Sequence, residues 1–151
     1  MKTVTLQHNY DAPAKDLWAL ATDLDALQEV MDGIVAFEGL PEGRVHEGQV
    51  LSVNVSLFGK LPAQPYVMEV LECNDRAMIM RSSEKGAGVK SWCHTLRVEA
   101  TPSGSRLHDH IEIDAGWMTW AFALWARFLY RKRHAPRVRM LAEMARERQS
   151  G

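Results

Sequence analysis

The segment Ser91–Asp114 reads SWCHTLRVEATPSGSRLHDHIEID, and the register of its two halves decides the fold. Two alternating runs, Ser91–Ala100 and Ser105–Asp114, flank the turn signal Thr101-Pro-Ser-Gly104, as in an antiparallel hairpin. Pairing Ala100 with Ser105 sets Val98 opposite Leu107, Leu96 opposite Asp109, His94 opposite Ile111 and Trp92 opposite Ile113. The other side then pairs Glu99 with Arg106, Arg97 with His108, Thr95 with His110 and Cys93 with Glu112. This alignment gathers the apolar residues on one face and leaves an opposite-charge pair on the other. A slip of one residue would set Val98 against His108 and His94 against Glu112, mixing the faces. The buried face therefore fixes the first alignment.

In that register His94 and Asp109 are the strongly polar residues of the inner face, and they are diagonal neighbours. Diagonal Cβ atoms stand roughly 7 Å apart or less, within reach of a direct or water-bridged hydrogen bond. Three roles are open to such a pair. The two residues can satisfy each other in the core, orient a ligand's hydroxyl or carbonyl, or act as catalytic residues. A carboxylate partner raises a histidine pKa toward the range useful for acid–base chemistry.

Working outward, the period-two pattern holds back to Ile34. Candidate strands are Ile34–Glu38, Gln49–Phe58, Tyr66–Glu72 and Ala77–Ser83, followed by Val89–Ala100 and Ser105–Asp114. Thr3–Asn9 supplies a first strand. Asp11-Ala-Pro13 then opens a short helix carrying Leu17, Trp18, Leu20 and Ala21. Asp23 caps a second short helix with Leu24, Leu27, Val30 and Met31 inside, and Gly33 ends it. After Gly116 the period becomes helical, from Trp117 to about Glu147, with a kink expected at Pro136. Short connections make neighbouring strands antiparallel. The expected fold is α+β: a curved antiparallel sheet of six to seven strands, two short helices after the first strand, and one long C-terminal helix over the sheet. A sheet curved around one helix leaves a space suited to a small ligand. Val53 and Val55, Met68, Met78 and Met80, Trp92, Leu96 and Ile111 are expected on its walls, with His94 and Asp109 as polar contacts. Methionine adapts to irregular shapes, although such stripes also build plain core.

The chain has 151 residues, the size of one ordinary domain. Its formal charge of −1 gives no global sign of a nucleic-acid partner, and no nucleic-acid-binding module is recognisable. Basic residues cluster locally, with six between Arg127 and Arg139 and no acidic one among them. Cys73 and Cys93 have no metal-like spacing, and the expected state is reduced and cytoplasmic. MKTVTLQHNY lacks the apolar stretch of a signal peptide, and the uncharged run Ala115–Ala126 is shorter than the roughly 20 residues a bilayer requires. His108 and His110 share the outer strand face, where solvation rather than metal binding is expected. His8, His46 and His134 have no evident partners. No GxSxG, HExxH or phosphate-binding glycine loop occurs, so no cofactor, metal site or nucleophile-based hydrolase is predicted.

The strand order, the DAPA segment, the hairpin of form W-x-H-T-x-R-V … G-S-R-L-x-D-x-I-E and the terminal helix together resemble the SRPBCC superfamily. That group includes START lipid-transfer domains, polyketide cyclases and dehydratases, coenzyme Q-binding proteins and pollen-allergen-like proteins. Within it, the chain looks most like bacterial ligand-binding members, with His94 in the penultimate strand and Asp109 in the last. The resemblance implies a helix-grip fold with an internal hydrophobic cavity and a small hydrophobic ligand: a lipid, a polyketide-like molecule or an aromatic. It also implies two alternatives, a cyclase, aromatase or dehydratase using His94 and Asp109, and a membrane-associated lipid or quinone chaperone.

The run Gly116–Arg137, GWMTWAFALWARFLYRKRHAPR, is the gripping helix in this reading. Trp117, Trp120, Leu124 and Phe128 form one apolar face, and Met118, Phe122, Trp125 and Leu129 a second. The first face is expected to close the cavity, with Trp117 and Trp120 near its mouth and the arginines mostly outward. The second is left to meet the short helices, a second copy in a homodimer, or a membrane surface contacted peripherally by the helix.

Overall fold

The computed structural model describes residues 1–150. Val4, Leu6, His8 and Tyr10 turn inward along β1 (Lys2–Tyr10), after which Pro13 in extended conformation introduces α1 (Ala14–Ala21). Asp23 accepts the backbone N–H of Asp25 and caps α2 (Leu24–Val30), and Gly33 follows at φ +80. The chain then forms β2 (Val35–Glu38), β3 (Val50–Leu57), β4 (Gln64–Asn74), β5 (Ile79–Gly86), β6 (Val89–Thr101) and β7 (Gly104–Asp114). The seven strands make one antiparallel sheet in the order β1-β7-β6-β5-β4-β3-β2. The first strand thus lies beside the last, and the remainder is a meander.

The β6–β7 register is the one the buried face requires: Leu96 opposite Asp109, His94 opposite Ile111 and Trp92 opposite Ile113. Outside, Glu99 is ringed by Arg97, Arg106 and His108, a solvated charge cluster. Irregularities at Val70/Glu72 and Glu84/Gly86 interrupt the β4–β5 and β5–β6 ladders, which bends and twists the sheet. The β6–β7 turn is docked onto the entry to α1. Ser105 Oγ donates to the Ala12 carbonyl at 2.7 Å, and a Cβ at Gly104 (φ +154) would strike the Tyr10 carbonyl oxygen. Only glycine fits there.

The C-terminal helix departs from the expected single rod. Gly116–Met118 is a 3₁₀ turn, α3 covers Thr119–Lys132, and α4 covers His134–Ser150. The break falls at Arg133, before Pro136. Proline lacks the N–H that would bond the Lys132 carbonyl, and its ring crowds that carbonyl. The next amide, of Arg137, bonds the Arg133 carbonyl at 3.2 Å, and α4 continues from there. α4 packs on α1 and α2, and Arg148 reaches Asp16 at 2.8 Å.

The orientation of α3 also differs from expectation. Its buried stripe is Ala123, Ala126 and Tyr130, while Trp117, Trp120 and Leu124 are 83%, 58% and 59% exposed. Small side chains let α3 lie close on β1 and β7, where a tryptophan stripe would hold it off. The buried core is consequently densest between these strands and α1, with Val4, Leu17, Leu107, Ile111 and Ile113 almost wholly removed from water.

Candidate functional site: a cavity under the helix break

α3 covers only the β1–β7 side of the sheet, and the concave face of β3–β6 is roofed by α2 and the flank of α3. Between them is a cavity of about 570 Å³, within the roughly 300–1,000 Å³ usual for small-ligand sites. Leu51, Val55, Met68, Met80 and Leu96 line the sheet side, and Leu27, Val30 and Met31 the α2 side. Phe122, Trp125 and Leu129 close it from α3. Exposed lining residues Leu61, Pro62 and Gln64 mark its mouth, beside which Phe58 meets Trp125 edge-on at 6.0 Å. Gly88 (φ +92) admits Phe122 there, since a Cβ would stand 3.1 Å from its ring.

Among the residues expected on the walls, Val55, Met68, Met80, Trp92, His94 and Leu96 do line the cavity. Val53 is buried on β3 between two lining residues without touching the space. Met78 sits in the β4–β5 turn at φ +55 and packs against the core from outside the lining. Ile111 and Asp109 lie on β7 beneath α3, so the helix separates them from the cavity. Trp117, Trp120 and Leu124 face solvent, and the α3 wall is made by the Phe122, Trp125 and Leu129 stripe instead. The cavity itself thus covers the stripe whose partner the sequence had left open.

His94 and Asp109 are in direct contact. The two are buried, and His94 Nε2 stands 2.7 Å from Asp109 Oδ1. Burial pushes the Asp109 carboxyl upward, but the His94 bond and the charges of Arg137 and Arg133 outweigh it and hold the pKa below its ordinary value. An ionised Asp109 only accepts, so the His94 proton is on Nε2 and Nδ1 is left to accept in the neutral ring. The Tyr130 hydroxyl lies 3.4 Å from that nitrogen. Burial, with Glu84 and Asp109 adding to it against Arg133, pushes the phenol well above the ordinary tyrosine range, so it remains a donor. Asp109, His94 and Tyr130 form a chain that carries a proton-accepting charge from the core to the cavity wall.

Other polar groups gather at the same end, and sequence reasoning missed them. His8 on β1 stacks on His134 at 5.0 Å, and Tyr10 lies 4.8 Å from His134. Burial lowers both histidine pKa values, with Arg137 adding to the effect, so both rings are neutral near pH 7. Arg133 rests 4.3 Å over the Tyr130 ring and its Nε lies 3.1 Å from Met31 Sδ. Arg137 is 4% exposed and also lines the cavity. The outward arginines expected of this segment therefore include two that turn inward. The only local signal was Pro136, which reorients the helix just where they occur. Across the cavity, Glu84 accepts from Tyr66 (2.9 Å) and Ser82 (2.8 Å).

A curled antiparallel sheet, two short helices after the first strand and a C-terminal helical segment define a helix-grip-like α+β protein. Residues 1–145 match the family described as "Polyketide cyclase / dehydrase and lipid transport", and the chain belongs to that family. No curated protein matches it in sequence. Among solved structures, a Rhodobacter sphaeroides protein is 15% identical with a TM-score of 0.74, covering 93% of each chain. Ara h 8.0201 is 11% identical with a TM-score of 0.73, covering 94% of this chain and 98% of its own. DynU16, a putative protein of the dynemicin biosynthetic locus, is 14% identical with a TM-score of 0.63 over 89% of this chain and 46% of its own. Identities this low speak to the fold alone.

The depressed Asp109 pKa has a sign that can be measured. An ionised, bonded carboxylate stabilises the folded state above its unfolded pKa of about 3.9, and that contribution is lost as pH falls through the lower folded value. Asp109→Asn keeps the shape and one acceptor, and is expected to cost about 1–3 kcal/mol at pH 7. Urea unfolding at pH 7, 5 and 3 should show the gap to the unsubstituted protein closing below about pH 4. A gap that stays constant with pH would contradict the assignment.

Proposed function

We propose that the protein binds a small hydrophobic molecule in the cavity between its sheet and α3. The observation that carries this is the cavity's make-up: apolar walls of leucine, valine and methionine with His94, Tyr130 and Arg137 at one end. An apolar pocket with a few placed polar groups is the usual form of a small-ligand site, and the family's description includes lipid transport. The neutral fluorophore N-phenyl-1-naphthylamine should be taken up with a blue-shifted emission. Met68→Trp and Met80→Trp, which fill the space, should each weaken uptake at least ten-fold while circular dichroism is unchanged. Equal uptake by the filled variants would count against the cavity as the site.

A second reading is acid–base chemistry of the cyclase or dehydratase kind, favoured by the Asp109–His94–Tyr130 chain. His94 would exchange a proton with the substrate region through the Tyr130 hydroxyl, and Asp109 would stabilise the protonated ring. On incubation with a poly-β-carbonyl thioester, His94→Ala should abolish conversion to cyclised product and leave fluorophore uptake in place. A wild-type protein that binds without converting anything would leave it a carrier.

The outer face of α3 supports a peripheral contact with an anionic membrane. Trp117, Trp120, Leu124 and Phe128 are exposed there, and α3 carries Arg127, Arg131 and Lys132 with no acidic residue. Aromatic residues beside basic ones are suited to the headgroup boundary, each basic residue near the surface contributing about 1 kcal/mol. Among the described residues no helix is long and apolar enough to cross a membrane. Flotation with vesicles of phosphatidylcholine plus phosphatidylserine should recover the protein. Pure phosphatidylcholine vesicles, or a Trp117→Ser/Trp120→Ser variant, should not. Self-association through this face, seen by sedimentation without lipid binding, would assign it to a homodimer instead.

A further inference from the structure

The first turn of α4 places a full positive charge where charges are rarely found. Arg137 is 4% exposed and lines the cavity, yet among the described residues it makes no ion pair, and its Nη1 has no hydrogen-bond partner. Burying an unpaired guanidinium is costly, so its exceptions call for a counter-charge. Of the two carboxylates nearby, Asp109 gives Oδ1 to His94 and leaves Oδ2 unpartnered, its charge felt by Arg137 without an ion pair closing between them, and Glu84 is held by Tyr66 and Ser82. Arg133, the other cation of the lining, is occupied by the Tyr130 ring and Met31 Sδ. Away from this end the walls are mainly leucine, valine and methionine, with the Glu84–Tyr66–Ser82 cluster across the cavity.

We infer that the ligand is an amphipathic carboxylate, its apolar body in the cavity and its carboxylate on the Arg137 guanidinium. The inference rests on the cavity being the binding site and adds the chemical class of what enters it. A planar guanidinium presents a fork of N–H donors that matches a planar carboxylate through two parallel bonds. A single available fork suits a monoanion; a phosphate dianion would leave charge uncompensated. The Tyr130 hydroxyl stands at the same end of the cavity, 3.4 Å from His94 Nδ1.

Competition against N-phenyl-1-naphthylamine, with dodecanoate and dodecanol as the two probes, tests this at pH 8. The unsubstituted protein should bind dodecanoate at least ten-fold more tightly than dodecanol. Arg137→Gln should bring the two together by weakening dodecanoate alone, whereas Arg139→Gln, at an exposed position outside the lining, should preserve the preference. Arg137→Lys should keep part of it. Equal affinities in the unsubstituted protein would overturn the carboxylate assignment while leaving the cavity as the site. A preference abolished by Arg133→Gln and not by Arg137→Gln would overturn the residue. Failure of both probes to displace the fluorophore would overturn the assignment too, and fluorophore uptake itself reports separately on the cavity. Should Arg137→Gln unfold, the dodecanoate-to-dodecanol ratio of the unsubstituted protein still decides, because it needs no variant.

Discussion

A curled sheet has more concave surface than one helix can cover, and everything distinctive in this protein follows from that mismatch. α3 settles on β1 and β7 through Ala123 and Ala126, which brings the backbones close and fills that side with core. The other strands, β3 to β6, curve away beneath no helix of comparable length. α2 and the Phe122–Trp125–Leu129 flank of α3 roof the gap without filling it. The cavity is thus the uncovered remainder of the sheet, and its apolar character is the inward face of ordinary alternating strands.

The break at Arg133 gives this remainder its chemistry. A continuous helix would carry its cations past the end of the sheet. With Pro136 ending α3, the chain turns, and the first turn of α4 brings Arg137 back over the end of β1 and β7. There it meets Tyr10, His8 and His134, together with the field of Asp109. Elements far apart in sequence therefore build one polar end, while β3, β4 and α2 supply the apolar remainder. A pocket with a few polar groups at fixed points of an apolar wall orients whatever it holds.

Much of the fold was legible because it depends on period and turn chemistry. The Ser91–Asp114 hairpin has a single register that keeps its faces unmixed, and that register by itself sets His94 beside Asp109. The seven strands and two short helices likewise follow from alternation and caps. The face of α3 was not legible, because an apolar wheel with two stripes weights tryptophan above alanine. Close helix–sheet packing reverses that preference, and the small residues go inside. Arg137 was hidden for a related reason. Composition puts arginine outside, and only a tertiary turn at Pro136 could bring it in.

The same inversion divides the five tryptophans of the chain. Trp117 and Trp120 stand in water on the outer side, and Trp92 and Trp125 border the cavity on the inner side, with Trp18 buried on the inward face of α1. One helix thus separates two optical populations. Emission from the outer pair should be red-shifted and open to collisional quenchers such as iodide, and emission from buried Trp92 and half-buried Trp125 less so. An event at the outer surface and one inside the cavity therefore leave separate spectral traces in the same unlabelled sample.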